Sequence, residues 1–269
     1  REDSWGLMKR EYAKEDADAA AAEEEGLDHR KVLMNSNNNN NKEEDSQTSS
    51  LGMDDESFQG RNIKVMERTY SYRESQFEKI IKADVVQMSE LRKLGWNGIP
   101  SEYRAMAWKI MLGYLPTNST RRTQTLERKR AEYKDTIRQH YDIPDDSRTV
   151  QEQETLRQVL VDVPRTAPEI ALFRNERIKR ALGRLLYIWA IRHPASSYVQ
   201  GINDLATPLF CVFLSDYYNG EDVQDGNVMV VISDERLEEV EADVYWCLTN
   251  ILAGIQDHYT ADQPGVQRM

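Results

Sequence analysis

The chain has 269 residues, 39% of them hydrophobic and 30% charged, with a formal net charge of −11. At roughly 150 residues per domain this is enough apolar material for one large domain or two small ones. No run of ~18 uninterrupted apolar residues occurs, which excludes a membrane-spanning helix; the longest candidate, Leu205 to Leu214, carries Pro208. The charged N-terminus, from Arg1, lacks the apolar core of a signal peptide. Cys211 and Cys247 lie in apolar stretches, cannot build a disulfide framework, and read as buried thiols of a reducing compartment. Together these features describe a soluble, cytoplasmic protein.

Charge is unevenly distributed. Residues 1–60 hold seven Lys/Arg against sixteen Asp/Glu, and residues 216–243 hold one against ten, a balance of −9 in each. Residues 61–215 hold 26 against 18, a balance of +8. Such a basic block forms solvated helix faces, or meets an acidic partner or an anionic membrane. No zinc-ligand spacing or aromatic-interleaved basic stretch accompanies it, so nucleic acid is not the expected partner.

Residues 1–60 read as a disordered tail: an Ala/Glu/Asp run, an Asn tract from Asn37 to Asn41 and a Ser-rich acidic patch cannot bury enough apolar surface to offset chain entropy. From Glu74 the pattern is helical. Phe77, Ile80, Ile81, Val85, Met88 and Leu91 make one stripe that stops at Gly95. Ser101 is the expected cap of a helix ending near Met111, and residues 121–140 make a charged helix. A further helix is expected from Gln151 to about Val161, halted by Pro164 because the residue before proline disfavours helical backbone. Ile178 to Trp189 form another stripe ending at His193-Pro194, and an apolar helix follows over about 201–214. Residues 227–233 are the one plausible strand. A last helix runs from about Glu239 to Ile255. The fold class is all-α. Trp108, Trp189 and Trp246 fall on apolar stripes as core residues, and Arg104 is expected to be a structural ion-pair partner.

The four histidines are scattered, without Cys or carboxylate at metal spacing, so no metal site is expected. There is also no phosphate-binding Gly-rich loop, no Gly-x-Ser-x-Gly and no dinucleotide fingerprint. Two short segments carry more. Val159-Leu160-Val161-Asp162-Val163-Pro164-Arg165 resembles the Ile-x-x-Asp-x-x-Arg motif of TBC domains, the Rab GTPase-activating family, with Val159 in place of Ile. Tyr198-Val199-Gln200-Gly201 matches that family's Tyr-x-Gln-Gly motif, in the family's order. Gly98-Ile99-Pro100 with Arg104 and Trp108 resembles its first motif. The stretch from Trp189 to Leu205, and Tyr245-Trp246-Cys247 with Gly254 to Asp257, resemble the branch called TBC domain family member 22. The resemblance covers about 90–269.

That resemblance implies an irregular multi-helix domain over 61–269 that ends before the family's second lobe, leaving an apolar face on the helix over 239–255. It further implies a stimulator of GTP hydrolysis on a Rab-family small GTPase, acting in vesicle trafficking from the cytoplasm or at the Golgi and other endomembranes. Arg165 would be an arginine finger and Gln200 a glutamine finger. Asp162, Tyr198, Gly201, Asn203 and Asp204 would position them or touch the partner's switch region, with Gly201 lacking a Cβ so that another backbone can come close. GTP and Mg²⁺ would belong to the partner, leaving the chain no cofactor of its own. The alternatives are a non-catalytic helical scaffold that binds a small GTPase or Golgi adaptor, and a membrane-surface module using the helix over 121–140.

Overall fold

A computed structural model describes residues 72–218 and 222–254. The tail expected over 1–60 lies outside the described residues. Among those described, every regular element is helical: α1 (72–82), α2 (Met88–Gly95), α3 (Ser101–Met111), α4 (Arg122–His140), α5 (Val150–Asp162), α6 (Ala171–Arg174), α7 (Glu176–Arg192), α8 (Ile202–Ser215), α9 (Val228–Val231) and α10 (Asp234–Ala253). No helix among them is long and apolar enough to cross a membrane.

Three local readings are corrected. The stripe from Phe77 to Leu91 is not one helix, because residues 83–87 leave it to pair with a passing loop. The Val86 amide donates to the Thr117 carbonyl (3.0 Å), the Ser119 amide donates to that of Asp84 (2.8 Å), and Val85 bridges Asn118. Ser101 is the first residue of α3 rather than its cap; Pro100 holds the cap position with extended backbone. Residues 227–233 form no strand. Their β-branched composition suits one, but among the described residues there is no ladder to join. Instead the Asp225 carboxylate accepts the Asn227 amide (2.8 Å) and starts the turn of α9, which buries Val228 and Met229 and leaves Val230 and Val231 outside.

α10 is the central element, packing on α8, α7 and α4. Residues 240–245 are all buried, more than a full helical turn, so the helix has no solvent face there. Two of those six residues are acids. The Glu241 carboxylate accepts a fork from Arg184 (Nε 2.7 Å, Nη2 2.6 Å) and the Tyr133 hydroxyl (2.7 Å). Asp243 accepts Arg130 (Nε 2.9 Å, Nη2 2.8 Å), the Tyr114 hydroxyl (2.7 Å) and the Lys109 ammonium (2.8 Å). Because the two acids are about 200° apart around the helix, one faces α4 and α7 and the other α3 and α4. Burial pushes the Glu241 carboxyl above its ordinary range despite Arg184. Burial pushes Asp243 the same way, but Arg130 and Lys109 together outweigh it and hold that carboxyl below its ordinary range.

The apolar face expected on α10 is therefore largely covered. Among the described residues a groove of about 310 Å³ lies at its last turn, where Ile251 meets Trp108, Met111 and Leu112 of α3 and Leu205, Pro208 and Leu209 of α8. In α8, Pro208 cannot donate to the Asp204 carbonyl, and the Thr207 hydroxyl takes that acceptor instead (2.9 Å).

Removing one partner of a buried pair strands the other charge. Arg184→Ala is expected to lower stability by about 3–5 kcal/mol, read as a reduced urea midpoint at unchanged m. Asp243, with its folded pKa depressed, contributes fully above its unfolded value of about 3.9 and loses that contribution as pH falls through the lower folded one. Asp243→Asn should therefore be less stable than the parent at pH 7, with the gap closing toward pH 2; urea unfolding across that range measures it.

Candidate functional site

Arg165 and Gln200 stand on two turns built by different means. The first prolongs α5, whose start is fixed by a capping box: the Thr149 hydroxyl accepts the Glu152 amide and the Glu152 carboxylate accepts the Thr149 amide. Val163, although it precedes proline, keeps helical backbone (φ −51°, ψ −48°), so the chain passes from α5 into a 3₁₀ turn over Val163–Arg165. The proline tightens the helix end instead of extending it. Pro164 sits where the missing N–H costs nothing, and the Val163 side chain is buried. Arg165 emerges exposed, with no hydrogen-bond or ion-pair partner among the described residues. Beyond it Thr166 is 1% exposed, and Ala167 has a left-handed backbone (φ +40°).

The second turn leaves α7 at His193, whose ring stacks on Trp189 (4.5 Å between centroids) with Nδ1 2.7 Å from the Trp189 carbonyl. The Ser196 and Ser197 amides both donate to the His193 carbonyl (3.1 and 2.8 Å), and Ser197 takes φ +55°. Tyr198 is buried; Gln200 is exposed and likewise without a partner among the described residues. Gly201 follows at φ +101°, immediately before α8. A Cβ there would have nothing within 4 Å, so within this chain the glycine answers a conformational need and not a close approach.

Buried polar groups join the two turns. The Tyr198 hydroxyl donates to the Asp162 carboxylate (2.9 Å), and the Asn203 amide donates to the Thr166 hydroxyl (2.9 Å). The Asn203 carbonyl oxygen accepts the Gly201 amide (3.0 Å), its Nδ2 also donates to Asp204 (3.1 Å), and the Thr166 hydroxyl donates to the Asp162 main-chain carbonyl (3.1 Å). Burial first, then the Asp162 carboxylate, raises the Tyr198 pKa well above the tyrosine range, so the hydroxyl stays a donor. Asp162 therefore orients Tyr198 across the gap and makes no bond to the Arg165 guanidinium. Asn203 and Asp204 brace the start of α8. Thr166 joins this set without any motif to announce it.

Arg104 donates to the Ile99 carbonyl (3.1 and 3.0 Å) rather than pairing with a carboxylate. Trp189 is buried, whereas Trp108 and Trp246 are only partly covered; Trp246 donates to the Lys129 carbonyl (2.8 Å) beneath the Lys129 ammonium. Among the described residues no group of His, Cys, Asp and Glu side chains is arranged to hold a metal ion.

The model of the Rab-GTPase-TBC domain matches residues 101–269, which contain both turns. The chain belongs to this family. It is 46% identical over 206 residues to human TBC1 domain family member 22B, covering 77% of this chain and 39% of that protein. It is also 46% identical over 192 residues to the GTPase-activating protein gyp1 of Schizosaccharomyces pombe, covering 71% of this chain and 37% of that one. The chain thus spans about two-fifths of the length of these relatives. The crystal structure of the Ypt/Rab-GAP domain of Gyp1p superimposes with a TM-score of 0.68 at 41% identity, over 73% of this chain and 61% of that one. This TBC fold therefore has the all-α character that the sequence resemblance implied.

Gly201→Ala is expected to cost about 1–2 kcal/mol from backbone conformation alone, since the new methyl meets nothing. Tyr198→Phe removes the donor to Asp162 and should cost about 1–3 kcal/mol. Chemical denaturation of each variant against the parent measures both.

Proposed function

We propose that this TBC chain is the catalytic part of a GTPase-activating protein for a Rab-family small GTPase, and that Arg165 and Gln200 act in trans as its two fingers. The observation that carries the reading is the pairing of two exposed, unpartnered polar side chains on turns braced together beneath them. An idle surface arginine or glutamine needs no such foundation. The relatives add support, because gyp1 is named a GTPase-activating protein and the superimposed structure is titled a Rab-GAP domain.

Phosphoryl transfer from GTP asks for positioning and for charge stabilisation in the transition state, not for covalent help. Arg165 offers a permanent cation with a planar fork matched to phosphate oxygens, and its lack of an internal carboxylate partner leaves that charge available. Gln200 carries a donor and an acceptor on one amide, so it can hold an attacking water and a neighbouring phosphate-side group together. Asp162, Tyr198, Gly201, Asn203 and Asp204 hold the turns rather than react. GTP and Mg²⁺ belong to the partner. A protein of this kind regulates vesicle traffic from the cytoplasmic face of endomembranes, the Golgi among them.

Single-turnover hydrolysis by a panel of GTP-loaded Rab proteins tests the reading. Stimulation of ~10³-fold or more is expected for at least one member, falling by a comparable factor in Arg165→Ala and in Gln200→Ala. Rab binding without stimulation would make the chain a scaffold instead, and stimulation that survives both substitutions would overturn the assignment of Arg165 and Gln200 as the fingers.

A further inference from the structure

We propose that Thr166 is a positioning residue that locks the two fingers to each other, an inference that rests on the finger reading above. Thr166 is 1% exposed, and its hydroxyl does two things at once. It donates to the Asp162 carbonyl (3.1 Å), closing the turn that carries Arg165, and it accepts the Asn203 amide (2.9 Å) from the first turn of α8, just beyond Gln200. A hydroxyl is the smallest side-chain group able to donate and accept at one atom. The bond is thus a buried crosslink between segments 37 residues apart in the chain.

It works as one half of a pair. The other half is the Tyr198–Asp162 bond, and the two bracket both fingers: Asp162 and Thr166 lie on either side of Arg165, and Tyr198 and Asn203 on either side of Gln200. Next to these braces stand Ala167 (φ +40°) and Ser197 (φ +55°), the two non-glycine residues with positive φ among those described. One follows Thr166 and the other precedes Tyr198. Left-handed backbone at such residues persists where the surroundings over-determine it. The braces supply that determination, so the spacing of the fingers is set in the free chain before any partner arrives. Without the Thr166 hydroxyl, the Asn203 amide keeps only its Asp204 acceptor, and the Arg165 turn is tied to the Gln200 turn by the Tyr198–Asp162 bond alone.

The experiment compares Thr166→Val, which keeps the shape and removes the hydroxyl, with Thr166→Ser, which keeps the hydroxyl. Hydrogen exchange needs no partner and reads the clamp directly. Thr166→Val should speed amide exchange across residues 196–204 by about tenfold or more, while Thr166→Ser stays within about threefold of the parent. Unchanged exchange in that distant segment would overturn the proposal. The second readout is single-turnover hydrolysis by the Rab most stimulated by the parent chain, with Kd measured separately. Thr166→Val should lower the saturating rate about ten- to a hundredfold, with Kd within about twofold of the parent and activity restored in Thr166→Ser. An equal loss in both variants, or a loss confined to Kd, would overturn the proposal. If the parent stimulates no Rab, the finger reading fails and exchange alone decides the clamp. Should Thr166→Val not fold, Thr166→Cys, with its much weaker donor and acceptor, takes its place under the same expectations.

Discussion

The structure depends on two carboxylates that have no access to water. Glu241 and Asp243 sit two residues apart on α10, and each is held by an arginine fork and a tyrosine hydroxyl. A charge taken out of water must be met by partners of fixed geometry, or it destabilises the fold. These partners come from α3, α4, α7 and the loop after α3, so satisfying the two acids fixes where those elements lie. Apolar contacts alone would tolerate sliding and repacking; bidentate pairs do not.

The same pairs explain the charge pattern of the sequence. The acidic stretch over 216–243 and part of the basic block before it pair with each other, in the interior at Glu241 and Asp243 and at the surface at Asp234 and Glu238. Arg130 binds Asp243 and Glu239, Lys134 binds Glu238, Arg184 binds Glu241, and Arg177 binds Asp234 while also donating to the Met229 and Ile232 carbonyls. Much of the asymmetry is therefore neutralised within the chain, and the part of it open to a partner is smaller than the sequence balance suggests. The candidate site gains from this frame. α7 carries the Gln200 turn at its end and is held to α10 through Arg184, and α5, which carries the Arg165 turn, packs on α7.

Much of this was legible in the residues. Stripes such as Ile178 to Trp189 give helices nearly to the residue, because one apolar face at helical spacing has few other solutions. The motif residues Asp162, Tyr198 and Asn203 do converge. What was not legible depends on distant partners. The break at 83–87 exists because a loop thirty residues further along offers it hydrogen bonds, which no local pattern records. Residues 227–233 have strand composition but no strand to join, and the turn at Asp225 decides. In the sequence, Glu241 and Asp243 are two of the ten acids over 216–243 and nothing sets them apart, because the sequence does not say that Tyr133 and Tyr114 wait for them. Thr166 is an ordinary residue until Asn203 is placed beside it.

The crosslinks between the two turns also have a thermodynamic meaning. Bringing residues 162–166 and 198–203 together carries the entropy of closing a loop of more than thirty residues, and folding meets that cost once, within the cooperative transition of the whole domain. Nothing of it remains to be met at encounter with another protein. On the proposed finger reading, only the rotamers of Arg165 and Gln200 are left to be ordered, at roughly 0.5–1.5 kcal/mol for each side chain. The two turns are thus held at a fixed spacing in the free chain.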